Sequence, residues 1–124
     1  MNKQLSAAEL VTISEMTSPF MPMSRRDKLL RFAKIMREHR QEIYIFSNIE
    51  YYGPADWDEL RHPRSAFALA AADPVFRGAG LTDSSAGAGA KFFELSRDDL
   101  HKFSCDCGGL LTNEEMARRI ESLA

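Results

Sequence analysis

Between Ser24 and His39 the apolar positions recur at helical spacing. Leu29, Phe32, Ala33 and Met36 share one face, Leu30 and Ile35 widen it, and Arg31, Lys34 and Glu38 take the opposite side. This pattern predicts the longest helix of the chain, near residues 24–39. A second amphipathic stretch, 112–123, turns Met116, Ile120 and Leu123 inward, and Ser65–Ala72 reads as a helix of small residues able to pack closely. The period breaks in two places. Ile43-Tyr44-Ile45-Phe46 is a dense apolar run, and its length does not distinguish strand, loop and helix. Residues 78–90 are nearly all small, hold Gly78, Gly80, Gly87 and Gly89, and read as a loop or loosely wound connection closed by a short helix at Lys91-Phe92-Phe93.

Helix-start signals are frequent. A Ser or Thr followed three residues later by an acid can satisfy an orphan amide and place negative charge at the positive end of a helix. The pairs are Ser6/Glu9, Ser24/Asp27, Ser47/Glu50, Ser96/Asp99 and Thr112/Glu115, and Asp73-Pro74 adds an N-cap followed by proline at the first helical position. So many starts in 124 residues predict an all-α fold, an irregular array of about six to eight short helices in a single compact domain spanning 1–124. Within it, Met-Thr-Ser-Pro-Phe-Met-Pro-Met (16–23) cannot be a regular helix and reads as a Pro/Met-rich arm or strap. Its Phe20, Met21 and Met23 are adaptable apolar groups suited to a partner or a homodimer seam.

Composition changes this picture little: 44% hydrophobic and 27% charged residues are ordinary for a globular protein. Glu9 and Glu15 interrupt the apolar core that a signal peptide needs, and the longest apolar run, Ala66–Ala72, is far short of a membrane span. Two cysteines do not make a disulfide framework, and the chain reads as cytoplasmic. Charge is more informative. Residues 1–40 carry eight Lys/Arg against four Asp/Glu, and residues 41–124 carry eight against fourteen, so the chain is a charge dipole with a net −2.

Three segments offer chemistry. His101 and Cys105 stand at i and i+4 of a helix expected from Ser96, with Cys107 beyond and Gly108-Gly109 allowing a turn. Together the three could ligate zinc, or the two thiols could cycle redox state, although a second Cys/His pair is missing and C-x-C is tighter than a zinc knuckle. The plainer account is a buried sulfur at a helix end. Residues 90–103 resemble a helix-turn-helix, with Ala90, Leu95 and Leu100 at the contact positions and Glu94 where such turns favour glycine. However, Asp98 and Asp99 occupy the positions that would face phosphate. Seven Lys/Arg lie within 25–40, Arg31 and Lys34 among them, but they spread around the helix, and acids of the same fold are their expected partners.

No Ser/His/Asp order, HExxH motif or isolated carboxylate pair suggests catalysis, and no cofactor is expected unless it is zinc. The expected function is therefore a small non-catalytic protein-interaction or regulatory protein, partnered by another protein or by its own copy. Phe20, Met21, Met23, Arg31 and Lys34 are the candidate contacts, with no membrane and no nucleic acid expected. The alternatives are a metal or thiol-redox module on His101, Cys105 and Cys107, and a helix-turn-helix-like nucleic-acid binder.

Overall fold

The computed structural model describes residues 23–47, 54–105 and 108–124. The expected start at Ser6, the residues that follow Ser47 in the start expected there (Glu50 among them), the arm through Pro22 and Cys107 lie outside the described residues. The fold is mainly helical, as expected, and the described residues form six α-helices: α1 (Arg25–Glu38), α2 (Ala66–Ala71), α3 (Pro74–Gly78), α4 (Ala86–Phe93), α5 (Arg97–Leu100) and α6 (Asn113–Glu121). Two 3-10 turns, Pro54–Glu59 and His101–Phe103, and a two-stranded sheet complete it. Among the described residues, no helix is long and apolar enough to cross a membrane.

Side-chain caps set the helix starts. Ser24, Ser65, Asp73, Ser85, Ser96 and Thr112 each accept a backbone N–H three residues on, and Ser96 with Asp99 forms the full reciprocal capping box. Residues 86–90 correct the expectation of a small-residue connection over 78–90, which holds only at 79–85; the helix expected at Lys91–Phe93 starts earlier, at Ala86. Ser85, buried and accepting from the Ala88 N–H, starts a regular helix through Ala-Gly-Ala-Gly-Ala. The small side chains there serve close packing: a Cβ on Gly89 would stand 2.1 Å from the Phe67 ring.

The core is built around phenylalanines delivered by separate elements. Phe32 of α1 stacks on Phe93 of α4 (centroids 4.4 Å, planes 9° apart) and lies 5.8 Å from Phe103 and 6.0 Å from Phe67 of α2. Phe76 of α3 meets Phe93 edge-on at 5.3 Å. All five are buried, so one aromatic cluster ties α1 to α2, α3, α4 and the 3-10 turn before Ser104. On the other side α1 packs along α6 through Met116, Ala117 and Ile120. The side-chain amide of Asn113 donates to the carbonyls of Arg37 and His39, satisfying orphan acceptors at the end of α1.

The Ile43–Phe46 run resolves as β1 (Ile43–Ile45), antiparallel to β2 (Gly109–Leu111), with Ile43 opposite Leu111, Tyr44 opposite Leu110 and Ile45 opposite Gly109. Ile43 and Ile45 are buried, and Tyr44, between them, stacks on His62 at 3.9 Å. β-branched side chains at alternate positions suit this half-buried pleat.

The turn after α4 is left-handed at Glu94 (φ 58°, ψ 53°), and the Leu95 N–H donates back to the Ala90 carbonyl at 2.8 Å. An L side chain pays a steric penalty in this conformation that glycine avoids. Glu94→Gly is therefore expected to stabilise the protein by about 0.5–1 kcal/mol, after allowing for the greater freedom of glycine in the unfolded chain. A rise of a few degrees in melting temperature is the result to look for; a fall would mean that the Glu94 side chain has a role of its own.

Candidate functional site

The first sequence candidates, His101 and Cys105, do not share one helical face. α5 ends at Leu100, passes into the 3-10 turn His101–Phe103, and the chain is extended at Ser104 (φ −144°, ψ 167°). Cys105 thus lies beyond the helix, and the expected i, i+4 alignment with His101 is lost because Phe103 is drawn into the core. The extended segment instead joins β1: Phe46 donates to the Phe103 carbonyl (3.1 Å), Cys105 donates to the Phe46 carbonyl (3.0 Å), and Phe46 and Ser104 form a parallel bridge. The Cys105 Sγ–H donates to the Gly108 carbonyl at 3.2 Å. Gly108 (φ +74°) has to approach Ser47 N to a distance at which a Cβ would sit 3.3 Å away.

Among the described residues no three His, Cys, Asp or Glu side chains are grouped to hold a metal ion. The thiol's observed partner is a carbonyl, which a hydroxyl can serve equally. Cys105→Ser is therefore expected to cost about 1 kcal/mol or less, measured by urea denaturation with and without a chelator. A much larger loss, or a chelator effect on the unaltered protein, would return this segment to the metal reading.

The basic face of α1 is largely tied into the fold. The Arg31 guanidinium donates twice to the Asp73 carboxylate at 2.8 Å, joining α1 to the cap of α3. This hydrogen bonding holds the Asp73 carboxyl below its ordinary range against the opposing effect of burial, helped by the Phe76 N–H, and it raises Arg31. Arg37 bridges Glu114 and Glu121 of α6, and Arg25 reaches Asp99 and the carbonyls of Glu94 and Leu123. Lys28 donates to the Phe92 carbonyl (2.9 Å) and sits 4.2 Å over its ring. Of Arg31, Lys34 and Arg37, only Lys34 stands mainly in solvent, 4.0 Å from Glu38.

The turn between α4 and α5 does take the left-handed form of a helix-turn-helix, and Ala90, Leu95 and Leu100 are buried at the contact. Its second helix has four residues, and Asp99 is engaged in the cap and with Arg25. Of the Met/Phe candidates, Met23 is half-buried and packs against the core, whereas Phe20 and Met21 lie outside the described residues.

A surface that the sequence reading did not single out is the outer edge of β2. The Tyr44 N–H points away from β2 and donates to the Arg64 carbonyl at 2.9 Å, so the β1–β2 hydrogen bonds fall at Ile43/Leu111 and Ile45/Gly109. Leu110, between them, turns its own N–H and C=O outward, and the residue is 48% exposed. Among the described residues no other strand pairs with this edge, and Gly-Leu-Leu offers none of the lysine, proline or charge that ordinarily blunts one. The Gly-Gly-Leu-Leu run was the available signal, but three residues carry no readable period. No protein-family model matches the chain, and no curated protein and no solved structure is a match either.

Proposed function

We propose that this protein works by protein–protein association, with a second copy of its own chain as the partner, through the outer edge of β2. The observation that supports this is Leu110. A residue whose N–H and C=O both face outward is self-complementary: two such strands, antiparallel about a two-fold axis through Leu110, exchange both hydrogen bonds. The half-exposed leucine side chains then meet at the same axis. The uncharged Gly-Leu-Leu strand raises no electrostatic barrier to this pairing. Its shortness sets the scale, a weak dimer with Kd on the order of micromolar or above.

Sedimentation velocity over a wide concentration range tests the reading. The unaltered chain is expected to move from monomer toward dimer as concentration rises. Leu110→Lys, which puts two ammonium groups at the axis, should weaken association at least about tenfold while leaving the melting temperature of the monomer nearly unchanged. A strict monomer at high concentration, or a dimer indifferent to Leu110→Lys, would overturn it.

A further inference from the structure

A cleft of about 710 Å³ opens where the 3-10 turn Pro54–Glu59 lies against α4, a size ordinary for small-molecule sites. The Ala86 N–H donates to the Leu60 carbonyl at 3.0 Å and holds the two walls together. On one side, the Arg61 guanidinium and the Asp83 carboxylate form a two-pronged pair (3.1 and 2.9 Å), and the Ser85 hydroxyl donates to the same carboxylate. Arg61 and Asp83 thus largely neutralise each other.

Two charges are left over. Asp58 is exposed and presses on the first turn of α4, so closely that a Cβ on Gly87 would lie 2.1 Å from its Oδ1. Lys91 follows Gly87 by four residues, about 6 Å along the same face of the helix. Among the described residues neither Asp58 nor Lys91 has a hydrogen bond or a close ion pair, although the Asp58 charge acts on Arg61 at longer range. The remaining lining is apolar. Ala90 and Leu95 are buried beneath the opening, and Trp57 forms a wall with the Arg97 guanidinium 5.6 Å over its ring. The Trp57 indole Nε1 is buried and has no hydrogen-bond partner.

We propose that this cleft binds a small zwitterion, a free amino acid with an apolar side chain. A simple anion would meet the Asp58 and Asp83 carboxylates, and a simple cation would meet Lys91 and Arg61. A molecule bearing both charges close together gives each group a close partner at once: its ammonium on Asp58, its carboxylate on Lys91. An apolar side chain then covers Ala90, Leu95 and the face of Trp57, where it displaces water from a surface with no use for it.

Trp57 is the one tryptophan of the chain, so its fluorescence reports on this cleft alone. The full-length protein is titrated with leucine, methionine and phenylalanine, each followed by fluorescence and by calorimetry. Leucinamide and N-acetylleucine serve as probes that lack one charge each. A saturable response to at least one amino acid is expected, and each derivative should bind about tenfold more weakly than leucine. Lys91→Gln should abolish the discrimination against leucinamide while preserving that against N-acetylleucine; Asp58→Asn should do the reverse. Both side chains are exposed, so the variants are expected to fold. Silence in both readouts for all three amino acids would overturn the proposal, as would equal binding of leucine and its derivatives, or discrimination that survives both substitutions.

Discussion

Phe32→Ala is expected to cost about 3–5 kcal/mol, a large part of the 5–15 kcal/mol that holds a domain of this kind together. Phe32 has no exposed surface and stacks on Phe93 with planes nearly parallel. It also touches the rings of Phe67 and Phe103, so one truncation opens a cavity facing α2, α4 and the 3-10 turn at once. These rings belong to different elements and constrain one another, and the site cannot collapse without moving a helix. With a urea slope near 1.5 kcal/mol per M, the denaturation midpoint should fall by roughly 2–3 M. Phe92→Ala is the internal comparison. Phe92 is only half-buried and meets Phe76 and Phe93 edge-on, and its removal should cost less than half as much. Equal losses for the two would show that the cluster is not centred on Phe32.

What could be read from the sequence was whatever depended on nearby residues. Leu29, Phe32, Ala33 and Met36 lie on the buried face of α1, and Met116 and Ile120 lie on that of α6, because a 3.6-residue period records one-sided burial directly. Ser24, Asp73, Ser96 and Thr112 are caps for equally local reasons. The connection expected over 78–90 holds at 79–85 but not at 86–90, where packing outweighs the low helix propensity of glycine. Gly89 is where the Phe67 ring passes α4, and a contact 22 residues away in the chain leaves no periodic trace. The helical alignment expected for Cys105 fails for a similar reason: the core pulls the Phe103 side chain in and turns the next residue into an extended partner of Phe46.

Charge shows the same division. The sequence shows that α1 is basic and the rest of the chain acidic, but it does not show which acid meets which base. In the fold the dipole is folded back on itself: Arg31 meets Asp73, and Arg37 meets Glu114 and Glu121, fastening α1 to α3 and α6. Removing one such partner would disturb the seam between helices more than it would disturb a binding surface. The edge of β2 and the pair Asp58/Lys91, which carry the functional proposals, are the complement of this bookkeeping. They are groups to which the described residues give no close hydrogen-bonding partner.

Gly89→Ala is expected to destabilise the protein by about 2 kcal/mol or more, the reverse of what an exposed helix position would give. In the middle of α4 alanine should gain about 1 kcal/mol over glycine. Here the added methyl carbon would stand 2.1 Å from Phe67 Cδ1 and 2.5 Å from Cε1, against an ordinary carbon–carbon contact of about 3.5–4 Å. The Phe67 ring cannot yield cheaply, because it is buried and packed against Phe103 at 4.6 Å and Phe32 at 6.0 Å. Either α4 moves away from α2 or the aromatic cluster shifts as a body, and overpacking of this kind costs about 1–3 kcal/mol or more beyond the propensity gain it erases. Gly78→Ala separates the two terms. A Cβ there meets nothing within 4 Å, so that variant should be neutral or slightly stabilising. Phe67→Leu in the Gly89→Ala background should recover part of the loss, giving a coupling of about 1 kcal/mol or more between the two sites by urea denaturation. Additive losses would mean that α4 and α2 do not meet at this point. A stable Gly89→Ala protein would mean that the phenylalanine cluster has room to move, and the large effect expected for Phe32→Ala would then have to shrink with it.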